Sequence, residues 1–274
     1  SEAERLAYAD RDRYVADTDF VPLPGDSPDT LLGSAYLTGR AALISEHHTM
    51  GTAHPGAFGP ALTTVPAPEH GTSHISIVDS YGNAAALSTT IESAFGSFHM
   101  VDGFLLNNQL TDFSAEPTSP EGALIANRVQ PGKRPRSTMA PTLIFDAAPG
   151  APPGSKGPLY AVLGSPGGSV IIQFVVKTIV GIVDWGLDPQ QAVSMVDFGA
   201  ANTVDTNVGG EHPNVDTTAD GVHDPLVQGL RKLGHRVNLS DQSSGLSAIV
   251  RTQPAGWSGG ADPRREGLVM GDPG

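Results

Sequence analysis

The sequence predicts an α+β protein in which sheets are covered by apolar helices, and three observations carry that prediction. Strand patterns stand both before and after apolar, helix-like stretches. Only 16% of the residues are charged, well under the usual quarter, so much of the chain is expected in buried layers. The 33 Gly and 23 Pro suit a sheet-rich chain with many turns. At 274 residues there is room for one large or two small domains with a sizeable core.

The elements follow in order. Glu2–Ala16 is rich in helix formers, and Leu6, Ala7 and Tyr14 share a face; Leu31–Ile44 reads as a second helix. His47–Glu69 is a Pro/Gly/Thr-rich stretch without a period and reads as a flexible surface linker. Ser73–Asp79 and Ala84–Thr90 alternate as strands around the turn Ser80-Tyr81-Gly82-Asn83. Pro141–Asp146 and Leu159–Leu163 are further strands, separated by the apolar-poor loop Ala147–Gly157. Val170–Val183, interrupted by Gln173, Lys177 and Thr178, reads as a buried helix and not a membrane span. Asp188 is placed to N-cap a helix with Pro189 at its first position, running to Val196. Asp224–Leu233 is a helix closed by Gly234, and Leu246–Arg251 is a late strand.

Charge and composition exclude several functions. A net charge of −13 disfavours nucleic acid and anionic membrane surfaces as partners. Without cysteine there is neither a disulfide nor a thiolate metal site. The nine histidines show no metal-ligand spacing: His47-His48 are adjacent, and His223 and His235 bracket a helix too far apart for one face. No metal and no cofactor is expected. The start, Ser-Glu-Ala-Glu-Arg, lacks the apolar stretch of a signal peptide.

Gly71-Thr72-Ser73-His74, just before the strand-turn-strand pattern, has the form a self-cleaving precursor needs, although taken alone such a tetrapeptide is ordinarily plain structure. A threonine hydroxyl is a poor nucleophile unless a base takes its proton, and a free α-amine on the same residue can be that base. Its pKa of about 7.7–8.0 is near working pH, where proton transfer is efficient. An internal threonine has no such amine, so the chain would first break between Gly71 and Thr72. The Thr72 hydroxyl would attack the Gly71 carbonyl, and the resulting ester would be hydrolysed. Gly71, without a Cβ, tolerates the strained backbone this requires.

Four segments then occur in order: TSHISIVDSYGNAAALSTTIESAF from Thr72, GFLLNNQLTDFS from Gly103, KRPRSTMAPT from Lys133 and LGSPGGS from Leu163. Together they resemble the small subunit of γ-glutamyltransferases (γ-glutamyltranspeptidases), N-terminal-nucleophile hydrolases that cut themselves in front of a threonine. Ala261-Asp262-Pro263-Arg264 is similar to the family's closing segment, and residues 1–45 resemble the end of its large subunit. The resemblance implies a four-layer αββα sandwich. It divides the chain into a large-subunit segment and linker over residues 1–71 and a small-subunit segment over 72–274.

The resemblance also implies site roles. Thr72 would be the nucleophile, and the Thr90 hydroxyl would hydrogen-bond it and assist self-cleavage. Glu92, Gln109 and Asp112 would surround a donor's α-ammonium, which has three donors and no acceptor. Many members carry Asn where Glu92 stands, and the exchange adds negative charge to the pocket. Ser137 and Thr138 would hold the α-carboxylate, with Thr138 replacing the family's usual Ser. Gly167 and Gly168, opening a helix, would form the oxyanion hole from backbone N–H groups. Gly164-Ser165-Pro166-Gly167 lacks serine-hydrolase spacing, and no Lys follows as a phosphate loop requires.

The implied reaction is a two-step acyl transfer: Thr72 takes a γ-glutamyl group from a glutathione- or glutamine-type donor, then passes it to water or to an amino-acid or peptide amine. Large and small subunits would pair after cleavage, in a periplasmic or secreted protein. The family's large subunit supplies an arginine for the donor carboxylate, whose counterpart would lie upstream of Ser1. The segment between Phe113 and Lys133, a lid in many members, is short, leaving transfer against hydrolysis open. Alternatives are a glutaryl- or cephalosporin-type acylase, a polyglutamate depolymerase, or a non-catalytic scaffold subunit. A donor without an α-ammonium would leave Asp112 as an unpaired charge, which disfavours the acylase.

Overall fold

The computed structural model describes residues 1–58, 71–152, 154–252 and 256–271. In chain order its elements are α1 (Glu2–Tyr14), α2 (Asp29–Leu32), α3 (Ser34–Ala41), β1 (Thr72–Val78), β2 (Ala84–Thr90), β3 (Met100–Val101), β4 (Phe104–Leu105), β5 (Thr142–Ala147) and β6 (Lys156–Gly164). They continue as α4 (Ile171–Val183), α5 (Pro189–Ser194), β7 (Phe198–Gly199), β8 (Asp205–Gly209), α6 (Pro225–Lys232), β9 (Arg236–Ser240), β10 (Ser247–Arg251) and β11 (Trp257–Ala261).

The chain divides into two compact units. The first takes Ser1–Pro68, Asn108–Ser137 and Phe198–Gln242. The second takes Glu69–Asn107, Thr138–Asp197 and Ser243–Gly274. The expected cut before Thr72 therefore falls near a unit boundary; the first unit draws on both sides of it, and the second lies almost wholly after it.

In the first unit, α1 anchors the fold through Arg5, fully buried, which donates to Thr206 Oγ1 (2.9 Å) and to the Thr203 carbonyl. The expected helix over Leu31–Ile44 is two shorter ones, because Gly33 takes extended backbone (ψ 133°) between α2 and α3. Residues 47–58 hold no helix or strand, yet they do not behave as a free linker. Glu2 accepts from Thr49 Oγ1 (2.8 Å) and Met50 N (2.7 Å), Asp10 accepts from Gly56 N (2.7 Å), and Phe58 packs edge-on against Tyr14. The rest of that stretch, from residue 59, lies outside the described residues up to Gly71. Strands β7, β8 and β9 form a small sheet in which β8 and β9 run parallel. The segment expected as a lid is folded on itself through Ser114–Arg128 and Thr118–Leu124 bridges, with Ile125 and Ala126 buried.

The second unit is layered. β1 and β2 pair antiparallel, and the turn between them is set by the Asp79 carboxylate, which accepts from Tyr81 N (2.9 Å) and Asn83 N (2.8 Å). This hairpin lies on a four-stranded sheet of order β11-β10-β6-β5. Alternation decides what each face of that sheet meets. Ala161 and Leu163 of β6 and Ala248 and Val250 of β10 pack with Phe174 and Ile171 beneath α4 and α5. Gly164 and Ser247, one residue on, meet the hairpin instead. Burying each large apolar side chain there is worth about 1.5–3 kcal/mol. The order hairpin, sheet, helices gives three successive layers of an α+β fold.

The hairpin alternates in an unexpected sense. Its inward face carries Thr72, His74, Ser76, Ser88 and Thr90, with Val78, Ala84 and Ala86 at the turn end, whereas Ile75, Ile77 and Leu87 point outward and stay about half exposed. A buried ion-pair network closes the unit's far end. Asp197, fully buried, meets Lys177 Nζ at 2.7 Å and Arg264 Nε at 3.3 Å, and Arg264 also meets Asp262 at 3.1 Å. Removing one partner would strand a buried charge, so this network ties the Asp262–Arg264 segment under the sheet.

Candidate active site

Thr72 is the first residue of β1 and stands opposite Thr90, the last residue of β2. Antiparallel pairing thus brings two residues eighteen apart in sequence face to face. The Thr90 hydroxyl donates to the Gly71 carbonyl oxygen and accepts from Glu92 N (2.8 Å). Gly71 has φ +83°, and a Cβ there would lie 2.5 Å from the Glu92 carbonyl oxygen. Both the dihedral and the space demand glycine at this position. Around these groups lies an open cleft of about 340 Å³ lined by Gly71, Thr72, Ser73, Thr90 and Ser93.

Glu92 is buried at 4% exposure and itself adopts φ +73°, uncommon for a residue with a side chain. Its carboxylate accepts from Ser93 Oγ at 2.9 Å. Gly167 (φ +137°) and Gly168 (φ +63°) turn the chain from β6 toward α4, and a Cβ on Gly167 would meet the Phe174 ring at 2.4 Å. Thr138, buried, donates its hydroxyl proton to the Gly168 carbonyl at 2.7 Å. In this arrangement Thr138 braces the glycine turn, and its one proton is not directed at a ligand.

Gln109, Asp112 and Ser137 belong to the other unit. Gln109 and Asp112 share one short 3-10 turn, where the Gln109 amide donates to the buried Asp112 carboxylate. Asn127 Nδ2 holds the Asp112 carbonyl at 2.7 Å. Ser137 is exposed, and its carbonyl accepts from Arg11. The expected site residues thus divide between the units: Gly71, Thr72, Thr90, Glu92, Thr138, Gly167 and Gly168 in one, Gln109, Asp112 and Ser137 in the other.

Two residues beside Thr72 escaped the sequence reading. Arg265 donates to the Thr72 carbonyl at 3.3 Å and to the Ser243 carbonyl at 2.7 Å, a contact across 193 positions that no local pattern signals. His74, two residues after Thr72, packs into the layer between hairpin and sheet; period-two alternation puts it on the face of Thr72 but does not say that this face turns inward. Burial pushes its imidazole down to about 4. Among the described residues, no group of three or more His, Cys, Asp or Glu side chains is arranged to hold a metal ion. None of the described helices is long and apolar enough to cross a membrane.

The family model for gamma-glutamyltranspeptidase matches residues 1–272, almost the whole chain. The chain belongs to the gamma-glutamyltranspeptidase family. Among relatives of this family member, the glutathione hydrolase proenzyme of Escherichia coli (strain K12) is 32% identical over 273 residues, which is 96% of this chain and 42% of the relative. The chain spans less than half the length of this relative and of the Bacillus subtilis (strain 168) glutathione hydrolase proenzyme. A crystal structure of a mutant gamma-glutamyltranspeptidase from Helicobacter pylori aligns with 70% of this gamma-glutamyltranspeptidase-family chain and 99% of its own, at 30% identity and TM-score 0.56. A cephalosporin acylase from Bacillus halodurans aligns over 98% of the chain and 43% of its own, with TM-score 0.75 at 22% identity, a likeness of fold. With these neighbours and its mixed helices and sheets, the family member has the N-terminal-nucleophile hydrolase fold.

Proposed function

We propose that this chain carries the nucleophile of a γ-glutamyl acyl-transfer enzyme that produces that nucleophile by cutting itself between Gly71 and Thr72. The observation that carries the reading is the Thr90 hydroxyl donating to the Gly71 carbonyl oxygen, the atom on which negative charge develops when the Thr72 hydroxyl attacks. Attack forms a tetrahedral centre at the Gly71 carbon. Collapse breaks the Gly71–Thr72 C–N bond, the proton passes to the departing nitrogen, and an ester links Gly71 to Thr72 Oγ. Water hydrolyses the ester, leaving a Gly71 carboxylate and a Thr72 residue with a free amine.

In the working enzyme that amine takes the hydroxyl proton as Thr72 Oγ attacks a donor's γ-carbonyl. Backbone N–H groups at Gly167 and Gly168 stabilise the oxyanion, and Thr138 holds the turn through the Gly168 carbonyl. The proton passes to the leaving amine, and a γ-glutamyl ester remains on Thr72. Water or an acceptor amine then attacks the ester and regenerates the hydroxyl. Asp112, Gln109 and Glu92 are assigned to the donor's ammonium, and Ser137 to its carboxylate; the buried carboxylates of Glu92 and Asp112 suit a cation. Glutathione and glutamine are the donor class, and large and small subunits stay paired after the cut.

The test uses the full gene product. A denaturing gel should show the chain split at Gly71/Thr72, a Thr72→Ala variant should stay whole, and γ-glutamyl-p-nitroanilide should be cleaved with a burst. A chain that remains intact and inactive would favour a scaffold subunit. Faster cleavage of glutaryl-p-nitroanilide would favour an acylase.

A further inference from the structure

We propose that His74 is a positioning residue for the nucleophile: its imidazole, seated flat on Gly164, fixes the strand that carries Thr72 to the strand that leads into Gly167 and Gly168. The proposal rests on the reading of Thr72 as the nucleophile.

Three features of the second unit carry it. First, the seat is built for a ring. A Cβ on Gly164 would lie 2.2 Å from His74 Cε1 and 2.5 Å from both ring nitrogens, so only glycine leaves room there. Gly164 does not have positive φ, so a turn does not explain its presence. Second, both ring nitrogens are engaged. Nδ1 lies 2.8 Å from Ser88 Oγ, the residue directly opposite His74 on β2, and Nε2 lies 3.2 Å from Ser76 Oγ. Third, the chain of contacts continues across the layer. Ser76 Oγ meets Ser247 Oγ at 2.9 Å, and Ser247 is the register partner of Gly164. The ring thereby links both hairpin strands to β6 and β10 at one level.

That level is where geometry matters for acyl transfer. Thr72 is two residues from His74 on the same face, and Gly167 is three residues beyond Gly164. A ring that sets the spacing of these two strands sets the separation of nucleophile and oxyanion donors. Displacement by about 1 Å is enough to cost about a hundredfold in rate. An uncharged ring has one donor and one acceptor, which matches two hydroxyl partners. Its lowered pKa, about 4, keeps it in that form at neutral pH. A polar clamp in an inter-sheet layer is otherwise an odd choice, because apolar packing would join two sheets without directional demands; the directional bonds specify register.

The test compares matured wild-type enzyme from the full gene product with His74→Leu, His74→Ala, Gly164→Ala and the double variant His74→Ala/Gly164→Ala. The readouts are kcat per active site, titrated as the Thr72-initiated chain by intact-mass spectrometry, and KM for γ-glutamyl-p-nitroanilide. Counting active sites separates mispositioning from loss of folded protein. His74→Leu and Gly164→Ala should each lower kcat per site at least about tenfold with KM within about twofold, since the bound substrate is contacted by other residues. In the His74→Ala background, Gly164→Ala should add less than about twofold, because the ring it would collide with is gone. Additive losses, or unchanged kcat per titrated site in His74→Leu, would overturn the proposal. Where His74→Leu yields no folded protein, Gly164→Ala decides alone by the same criterion. A wild-type enzyme that releases no p-nitroaniline would instead defeat the reading of the reaction and take this proposal with it; an active wild type with unaffected variants removes His74 alone.

Discussion

Replacing Thr90 by Val keeps the shape of the side chain and removes the hydroxyl that bridges the scissile bond. That hydroxyl has two partners, the Gly71 carbonyl it donates to and the Glu92 N–H it accepts from at 2.8 Å. Loss of one donor to a developing oxyanion typically costs a factor of about 10²–10³, or about 2.7–4 kcal/mol. The cleft around Gly71 is open, so water replaces part of the lost bond and the lower figure applies: self-cleavage should slow about a hundredfold. The lost acceptor for Glu92 N adds about 1 kcal/mol of local destabilisation, which lowers yield more than rate. The assay is a denaturing-gel time course of intact against cut chain for wild type, Thr90→Val and Thr90→Ser. The serine variant should cleave near the wild-type rate. Cleavage of Thr90→Val within about threefold of wild type would refute the assignment of that hydroxyl to the scissile carbonyl, since about 0.7 kcal/mol is too small for an oxyanion donor.

Three further outcomes follow from the same geometry. Gly71→Ala places a Cβ 2.5 Å from the Glu92 carbonyl at φ +83°, a strain of about 1–2 kcal/mol before the clash is counted, so cleavage should slow at least about tenfold on the gel. Asp188→Ala removes the capping box that pairs Asp188 with Gln191 at the start of α5; it should cost about 1 kcal/mol, read as a fall of about 2–4 °C in thermal unfolding, with kcat unchanged. Burial of His74 makes stability fall with acid. The unfolded ring takes a proton near pH 6.5 and the folded ring only near 4, so the contribution is complete above about 6.5 and is lost as pH drops toward 4. The shift sets a ceiling of about 3 kcal/mol, which screening at this half-buried site trims to about 1–2 kcal/mol. Urea midpoints at pH 7 and pH 5 should therefore diverge more for wild type than for His74→Gln, and equal divergence would contradict the burial argument.

The hairpin, α1, α4, α5 and α6 were legible because each is governed by local physics. Asp79 and Gly82 specify the turn, Asp188 and Asp224 cap helices that begin with Pro, and Gly234 closes one at φ +87°. The elements misread or left unread depend on distant partners. Leu31–Ile44 has an unbroken helical pattern, yet Gly33 extends because glycine gains little from helix and loses much freedom in it. β8 and β9, reading Asp-Thr-Asn-Val-Gly and Arg-Val-Asn-Leu-Ser, carry residues depleted in strands and are paired in parallel across a helix. β11 contains Gly259 and Gly260, weak strand formers, but a Cβ at Gly260 would strike the Pro189 backbone at 2.5 Å, so close approach of α5 dictates it. At the site, Thr72 opposite Thr90 was readable from hairpin register. The inward polar face was not, because hydropathy would bury Ile75, Ile77 and Leu87. Arg265 reaching the Thr72 carbonyl has no local signal at all.

The proposed chemistry requires a threonine inside the chain to become the first residue of a new one. Intact-mass and N-terminal peptide mass spectrometry of the natively expressed full gene product tests this most directly. A polypeptide beginning Thr-Ser-His-Ile-Ser, absent from the Thr72→Ala variant, is the predicted result. Recovery of an uncut chain that still transfers γ-glutamyl groups, or a cut at another bond, would contradict it.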